Sequence, residues 1–246
     1  MRKEVTESLL STIFLAIILM LPGFTSGLDA FQQSCIYLIV SLLLALYLFN
    51  QYNRIGAFSR SAQEPRWKNI AILSPAFIGV ILLPFVIYDM VYAYTYYIYF
   101  SEVFSLANLF IEILSICAVV FIEEVIFRLS FQRRLRIQNR GLKILVSAGI
   151  FALFDIVLLF QGYDITVVLL QMIESFLFGA VLAMISEYGH CIYLCMGYHF
   201  AYKFIMEYTV FSETAAFAFI LFAASFIYCI VIYFAYFKRK DDFYVQ

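Results

Sequence analysis

The sequence predicts an all-α fold: a polytopic membrane helix bundle of about eight transmembrane helices, with both termini cytoplasmic. Three observations predict it. The 246 residues are 65% hydrophobic and only 13% charged, with a mean hydropathy of +0.93, whereas a soluble domain is about a quarter charged. Apolar runs long enough to cross a bilayer, which takes about 20 residues, recur along the chain. The basic residues collect in alternate loops, as they do when those loops face the cytoplasm.

The first run, from about Leu9 to Phe24, comes after Arg2 and Lys3 and precedes Thr25-Ser26-Gly27. That pattern is shared with a cleavable signal peptide, but the number of later spans favours an uncleaved first helix. Further runs cover Ser34 to Asn50, Ile70 to Tyr92, Val103 to Ser130, Ile144 to Gln161, Ile165 to Ser186, Cys191 to Phe211 and Ala215 to Phe237. No Pro/Gly/Ser linker, low-complexity tract or internal repeat divides them. We therefore expect a single membrane domain over 1–246, with N-terminal helices in 1–100, a core in 103–211, and a last helix with a basic tail in 215–246.

Alternating the eight spans places 14 of the 16 basic residues on one side, in the N-terminus, the loops at 51–69, 131–143 and 187–190, and the C-terminal tail. The opposite loops are marked by Asp29, Glu102, Asp164 and Glu213. Both termini should then be cytoplasmic. The two basic residues left over, Arg128 and Lys203, lie inside spans. The basic segment Phe131 to Lys143 reads as an anchor beside anionic membrane lipid; no soluble module is present to hold a nucleic acid. The short loops and the lack of a targeting segment suit a multi-pass protein of a bacterial plasma membrane.

The chemistry is concentrated in Phe121-Ile122-Glu123-Glu124-Val125-Ile126-Phe127-Arg128. Ionisable groups in hydrocarbon cost several kcal/mol unless paired or wetted, so three within one span mark a functional site. Counting 1.5 Å per residue from the cytoplasmic ends puts Glu123 and Glu124 roughly 10 Å deep, His199 roughly 12 Å and Asp155 roughly 16 Å. Lys203 and Glu174 fall at roughly 18 Å. An ion pair of Lys203 with Glu174 or Asp155 is the expected way to hold that ammonium. His199 and Lys203, four apart, share a helix face, and so do Glu124 and Arg128, with Arg128 near enough to the interface to snorkel. Glu112 lies three turns before Glu123 and points the same way, deeper. Small residues that let helices approach are Ser147, Ala148 and Gly149 on one span and Gly179 with Ala183 on the next.

Adjacent carboxylates in an apolar setting supply a candidate general base. Arg128 would hold the second carboxylate ionised, and His199 would either donate to an oxyanion or ligate a metal. Together they suit amide hydrolysis by activated water. No Gly-x-Ser-x-Gly elbow or His-Glu-x-x-His motif is present. Of the five cysteines, Cys191 and Cys195 lie beside His190 without the spacing of a zinc knuckle, and the set implies no disulfide framework.

Glu123-Glu124-x-x-x-Arg128, then Ser147 to Asp155 containing Phe151-Ala-Leu-Phe, then Phe178-Gly179 and the helix leading to His199, resemble the CPBP or Abi family of membrane proteins over about 119–207. That family includes CAAX prenyl endopeptidases and bacteriocin-processing or immunity proteins. The resemblance implies that Glu123 activates the hydrolytic water, that Glu124 and Arg128 shape the site, and that His199 assists. It leaves the metal unknown, with zinc as one option beside a metal-independent glutamate mechanism. Where the family has a histidine after Phe151 this chain has Asp155, and where it has an asparagine after His199 this chain has Lys203. The two replacements are expected to form a salt bridge.

Three functions are expected on these grounds. The first is a CPBP/CAAX-type intramembrane endopeptidase that cuts a peptide or lipid-anchored tail on the cytoplasmic side. The second is a catalytically degenerate member that binds a membrane-protein partner as a regulator or bacteriocin-immunity protein. The third is a carrier using Lys203, Glu174 and Glu112 as an ion relay.

Overall fold

A computed structural model describes residues 2–25, 27–54, 56, 58, 65–74, 106–208, 227, 230 and 231. Every element among them is helical. In order they are α1 (Arg2–Phe24), α2 (Ala30–Arg54), α3 (Leu106–Glu124), α4 (Arg140–Leu153), α5 (Ile165–Met184) and α6 (Ile192–Tyr208). Three of these run on past their α-helical limits. After α3 the chain continues as a π-helical segment, Val125–Gln132; after α4 it tightens into a 3-10 segment, Phe154–Gln161; after α5 it widens into a second π segment, Ile185–Gly189.

Helix boundaries obey local chemistry. Asn139 caps α4 by accepting a hydrogen bond from the Leu142 amide at 3.0 Å, and Asp164 caps α5 by accepting from the Thr166 amide at 2.7 Å; such caps satisfy amides that have no partner within the helix. Between them the 3-10 segment ends at Gly162, whose φ of 88° is a conformation glycine adopts without steric penalty. The turn from α5 into α6 passes through His190 at φ 56°. That turn is secured from residues 65–74, where the Arg66 amide donates to the Gly189 carbonyl at 2.9 Å and Asn69 Nδ2 to the Tyr188 carbonyl at 2.8 Å.

Among the described residues, three helices are long and apolar enough to cross a membrane: Phe31–Arg54, Arg140–Gln161 and Ile165–Gly189, with a shorter apolar stretch at Ser11–Pro22. α3 has the length but carries Glu112, Glu123 and Glu124. Most of the expected spans at Ile70 to Tyr92 and Ala215 to Phe237 lies outside the described residues, as do the C-terminal tail and Cys229. The chain is thus an all-helical membrane protein among the described residues.

The core of the bundle is built by α4 against α5, α2 against α3, and α3 against α6, with α1 lying along the 3-10 segment. The α4–α5 contact is as close as the small residues imply. A Cβ added to Gly179 would stand 2.9 Å from Phe151 Cδ1 and 3.4 Å from Ala148 Cα, and Ser147, Ala148 and Ala183 are buried. Gly149 departs from that expectation, since a Cβ there would meet nothing within 4 Å.

Candidate active site

Glu123 and Glu124 close the last turn of α3, just where the helix widens into its π segment. Such widenings shift the phase of the side chains beyond them and recur at functional sites. Both carboxylates are buried, and adjacent positions on a helix send them in different directions. Glu124, fully buried, accepts from Arg128 Nε at 3.3 Å through Oε2 and meets His199 Nδ1 at 2.8 Å through Oε1. Glu123 lies on the other side of the same imidazole, its Oε2 3.2 Å from His199 Nε2. Its Oε1 accepts from Lys203 Nζ at 2.8 Å. The 3.2 Å approach lacks hydrogen-bond alignment, so Glu123 Oε2 is buried without a hydrogen-bond partner.

Arg128 does not snorkel. Its side chain is fully buried, donates from Nη1 to Ser147 Oγ at 3.1 Å, and places its guanidinium 5.3 Å from the Phe151 ring centre. The reason is geometric: Arg128 points toward α4, where the Ser147 hydroxyl and the Phe151 ring, together with the Glu124 carboxylate of α3, replace water. Ser147, noted in the sequence only for its small size, is therefore also a polar partner.

The expected pairing of Lys203 with Asp155 or Glu174 is not what the structure forms. Lys203, on the same face of α6 as His199, reaches Glu123, and Glu174 instead accepts a hydrogen bond from the Tyr202 hydroxyl. Asp155 stands in the 3-10 segment with Oδ2 buried and unpartnered. A depth count along the spans could not separate these outcomes, because it carries no information about the rotation of each helix about its axis.

His199 is boxed by aromatic rings. Phe178 and Phe151 meet it edge-on at 5.2 and 5.7 Å, and Tyr202 stacks on Phe178 at 4.1 Å. Phe127 abuts Phe151 and Phe154 in T-shaped contacts at 5.0 and 4.9 Å. These rings pack around the Glu124–imidazole contact and, with Glu124, fix the imidazole plane. The sequence signals for them, aromatics at helical spacing, cannot be told from ordinary core.

Glu123, His199, Lys203 and Asp155 line a cavity of about 830 Å³, a size that suits a ligand or a short peptide segment. Glu112 lines it too, on the same face of α3. Glu124 and Arg128 do not reach it and hold the site from behind. A zinc ion, one option from the resemblance, needs at least three protein donors converging on one point. The two ring nitrogens of His199 each face a different carboxylate on opposite edges of the ring, and no group of three His, Cys, Asp or Glu side chains converges among the described residues. The residues at this site do not fit a zinc centre. Cys195, buried, donates to the carbonyls of Leu182 and Cys191 and so acts in packing.

No curated protein and no solved structure matches the chain. A family model does. Residues 105–205, which hold both carboxylates, Arg128, Asp155, His199 and Lys203, match the family described as Type II CAAX prenyl endopeptidase Rce1-like, consistent with the CPBP/Abi family that the motifs resemble.

Proposed function

We propose that the chain is a membrane endopeptidase that hydrolyses a peptide bond with water activated by Glu123. The observation that carries this reading is Glu123 Oε2, a carboxylate oxygen that is buried, unpartnered, on a cavity wall and 3.2 Å from His199 Nε2. An oxygen in that state is a ready acceptor for a water proton.

In the proposed reaction the water oxygen attacks the scissile carbonyl carbon while its proton passes to Glu123. Lys203 flanks the site and donates to the oxyanion that develops on the carbonyl oxygen, while His199 presents Nε2 beside Glu123. Collapse of the tetrahedral species breaks the C–N bond, and the proton on Glu123 passes to the departing amine. Glu124 acts through His199: its hydrogen bond at Nδ1 holds the ring with Nε2 toward Glu123. Arg128 acts one step further back by neutralising Glu124. Lys203 thus takes up the donor role of the asparagine that the family pattern carries at this position. The protein works in a membrane, on a peptide or lipid-anchored tail, and a bacterial plasma membrane fits its short loops.

One observation favours a second reading, a non-cleaving member that binds a membrane-protein partner as a regulator or immunity protein. Lys203 already pairs with Glu123 at 2.8 Å, and Asp155 stands where the pattern has a histidine. The deciding experiment compares wild-type and Glu123→Gln protein, purified and reconstituted in vesicles, against a peptide library. The hydrolytic reading expects cleavage by wild type and none by Glu123→Gln at equal thermal stability. Equal cleavage by both, or none by either with partner binding intact, refutes it.

A further inference from the structure

Asp155 lines the cavity but has no part in the hydrolysis as proposed. The 3-10 segment carries it there: residues three apart stack on one face of such a helix, and Asp155, Leu158 and Gln161 all line the cavity. Ser175 on α5 hydrogen-bonds to the Asp155 carboxyl, and the charges of Glu123, Lys203 and Glu174 are close enough to bear on it. Oδ2 is nevertheless buried and without a hydrogen-bond partner. A buried acceptor in that state costs free energy until a donor reaches it.

The donor that can reach it is Lys203, the one ammonium among the described residues that line the cavity. It carries three protons on a flexible four-carbon stem, and its side chain is 29% exposed, so packing does not lock it in place. In the structure it rests on Glu123 Oε1 at 2.8 Å. The other carboxylates of the layer are engaged or distant. Glu124 meets Arg128 and His199, and Glu174 accepts from Tyr202. Glu112 is eleven residues along α3 from Glu123, roughly 16 Å at about 1.5 Å per residue.

We propose that Asp155 is a positioning residue that gives Lys203 a second seat. In the resting protein the ammonium sits on Glu123. During hydrolysis it moves to Asp155 Oδ2, which leaves both Glu123 oxygens to the water and turns a remaining N–H toward the substrate carbonyl oxygen. The ammonium keeps its three protons throughout. The only bonds made and broken are those of the hydrolysis, with the water proton passing to Glu123 and on to the departing amine. The two replacements that set this chain apart from the family pattern then work as one device: lysine brings a charge that asparagine lacks, and aspartate holds it. The second seat exists independently of the hydrolytic reading, while its part in turnover rests on that reading.

The first test needs no turnover. Reversible unfolding in mixed micelles is measured for Asp155→Asn alone and combined with Glu123→Gln and Lys203→Met. With Glu123 present the ammonium keeps its first seat, and Asp155→Asn is expected to shift the folding equilibrium by less than about threefold. With Glu123→Gln the ammonium falls back on Asp155, so adding Asp155→Asn is expected to cost about tenfold more, between an exposed and a buried pair. Lys203→Met in that background removes the stranded charge and is expected to abolish the extra cost. Where Glu123→Gln with Asp155→Asn fails to fold, recovery of the fold on adding Lys203→Met is the same result. An equal cost of Asp155→Asn with and without Glu123, or an extra cost that persists with Lys203→Met, overturns the second seat. The second test follows peptide cleavage. Asp155→Asn is expected to lower kcat about tenfold at unchanged KM, less than outright loss of an oxyanion donor, and Asp155→Glu to restore part of it. In Lys203→Met protein Asp155→Asn is expected to have no further effect; independent losses overturn the role in turnover. A wild type that passes the unfolding cycle yet cuts no peptide refutes hydrolysis and leaves the second seat standing.

Discussion

Replacing Arg128 by methionine tests whether the buried charge layer is held together as the geometry implies. Arg128 and Glu124 are both fully buried and touch through Nε and Oε2 at 3.3 Å. Methionine keeps most of the stem and removes the guanidinium, stranding a buried carboxylate whose remaining hydrogen-bond partner is His199. Breaking a buried pair from one side costs about 3–5 kcal/mol. The 3.3 Å contact is longer than the about 2.7–2.9 Å of a strong charge-assisted bond, and Arg128 Nη2 has no partner. Both facts point to the lower end, about 3 kcal/mol, or more than a hundredfold in the folding equilibrium at about 1.4 kcal/mol per tenfold. Glu124→Gln should cost a similar amount by stranding the cation. The double variant carries neither charge, so it should be less destabilised than the two singles added together, with a coupling of about 2 kcal/mol. The assay is reversible unfolding in mixed micelles monitored by helical circular dichroism. Additivity within about 0.5 kcal/mol, or a single-variant loss below about 1 kcal/mol, would show that the pair is solvated and refute the reasoning.

Lys203→Met should lower kcat by about 100-fold with little change in KM, as loss of one oxyanion donor does, and Lys203→Arg should recover part of it; an unchanged kcat removes Lys203 from the reaction. Gly179→Ala forces a Cβ to within 2.9 Å of Phe151 Cδ1 and should destabilise by about 1–3 kcal/mol. Gly149→Ala, with nothing within 4 Å, should be neutral or stabilise by up to about 1 kcal/mol; thermal melts that rank the two the other way contradict the α4–α5 packing. Asn139→Ala removes the cap on the Leu142 amide and should lower stability by about 1 kcal/mol in the same melts, while Leu142 amide exchange quickens.

The sequence determined that the chain is a helical membrane protein, because a hydropathy excess of this size needs no tertiary information to be read. It also picked out the charged residues that the fold brings together. Charges inside apolar runs stand out against their background, so Glu123, Glu124, Arg128, Asp155, His199 and Lys203 were all legible as residues before any was placed. The i,i+4 relations held for the same reason: Glu124 meets Arg128, and His199 and Lys203 both reach Glu123, because helical periodicity alone sets which residues share a face.

What the tertiary structure decided was which charge meets which. Linear depth gives a level in the membrane but not the azimuth of a helix, and only packing fixes azimuth. Thus Lys203 turned to Glu123 in place of Asp155, Glu174 went to Tyr202, and Arg128, in a π segment that no propensity signals, turned inward to Ser147. The aromatic box around His199 and the unpartnered Oε2 of Glu123 arise from segments far apart in sequence.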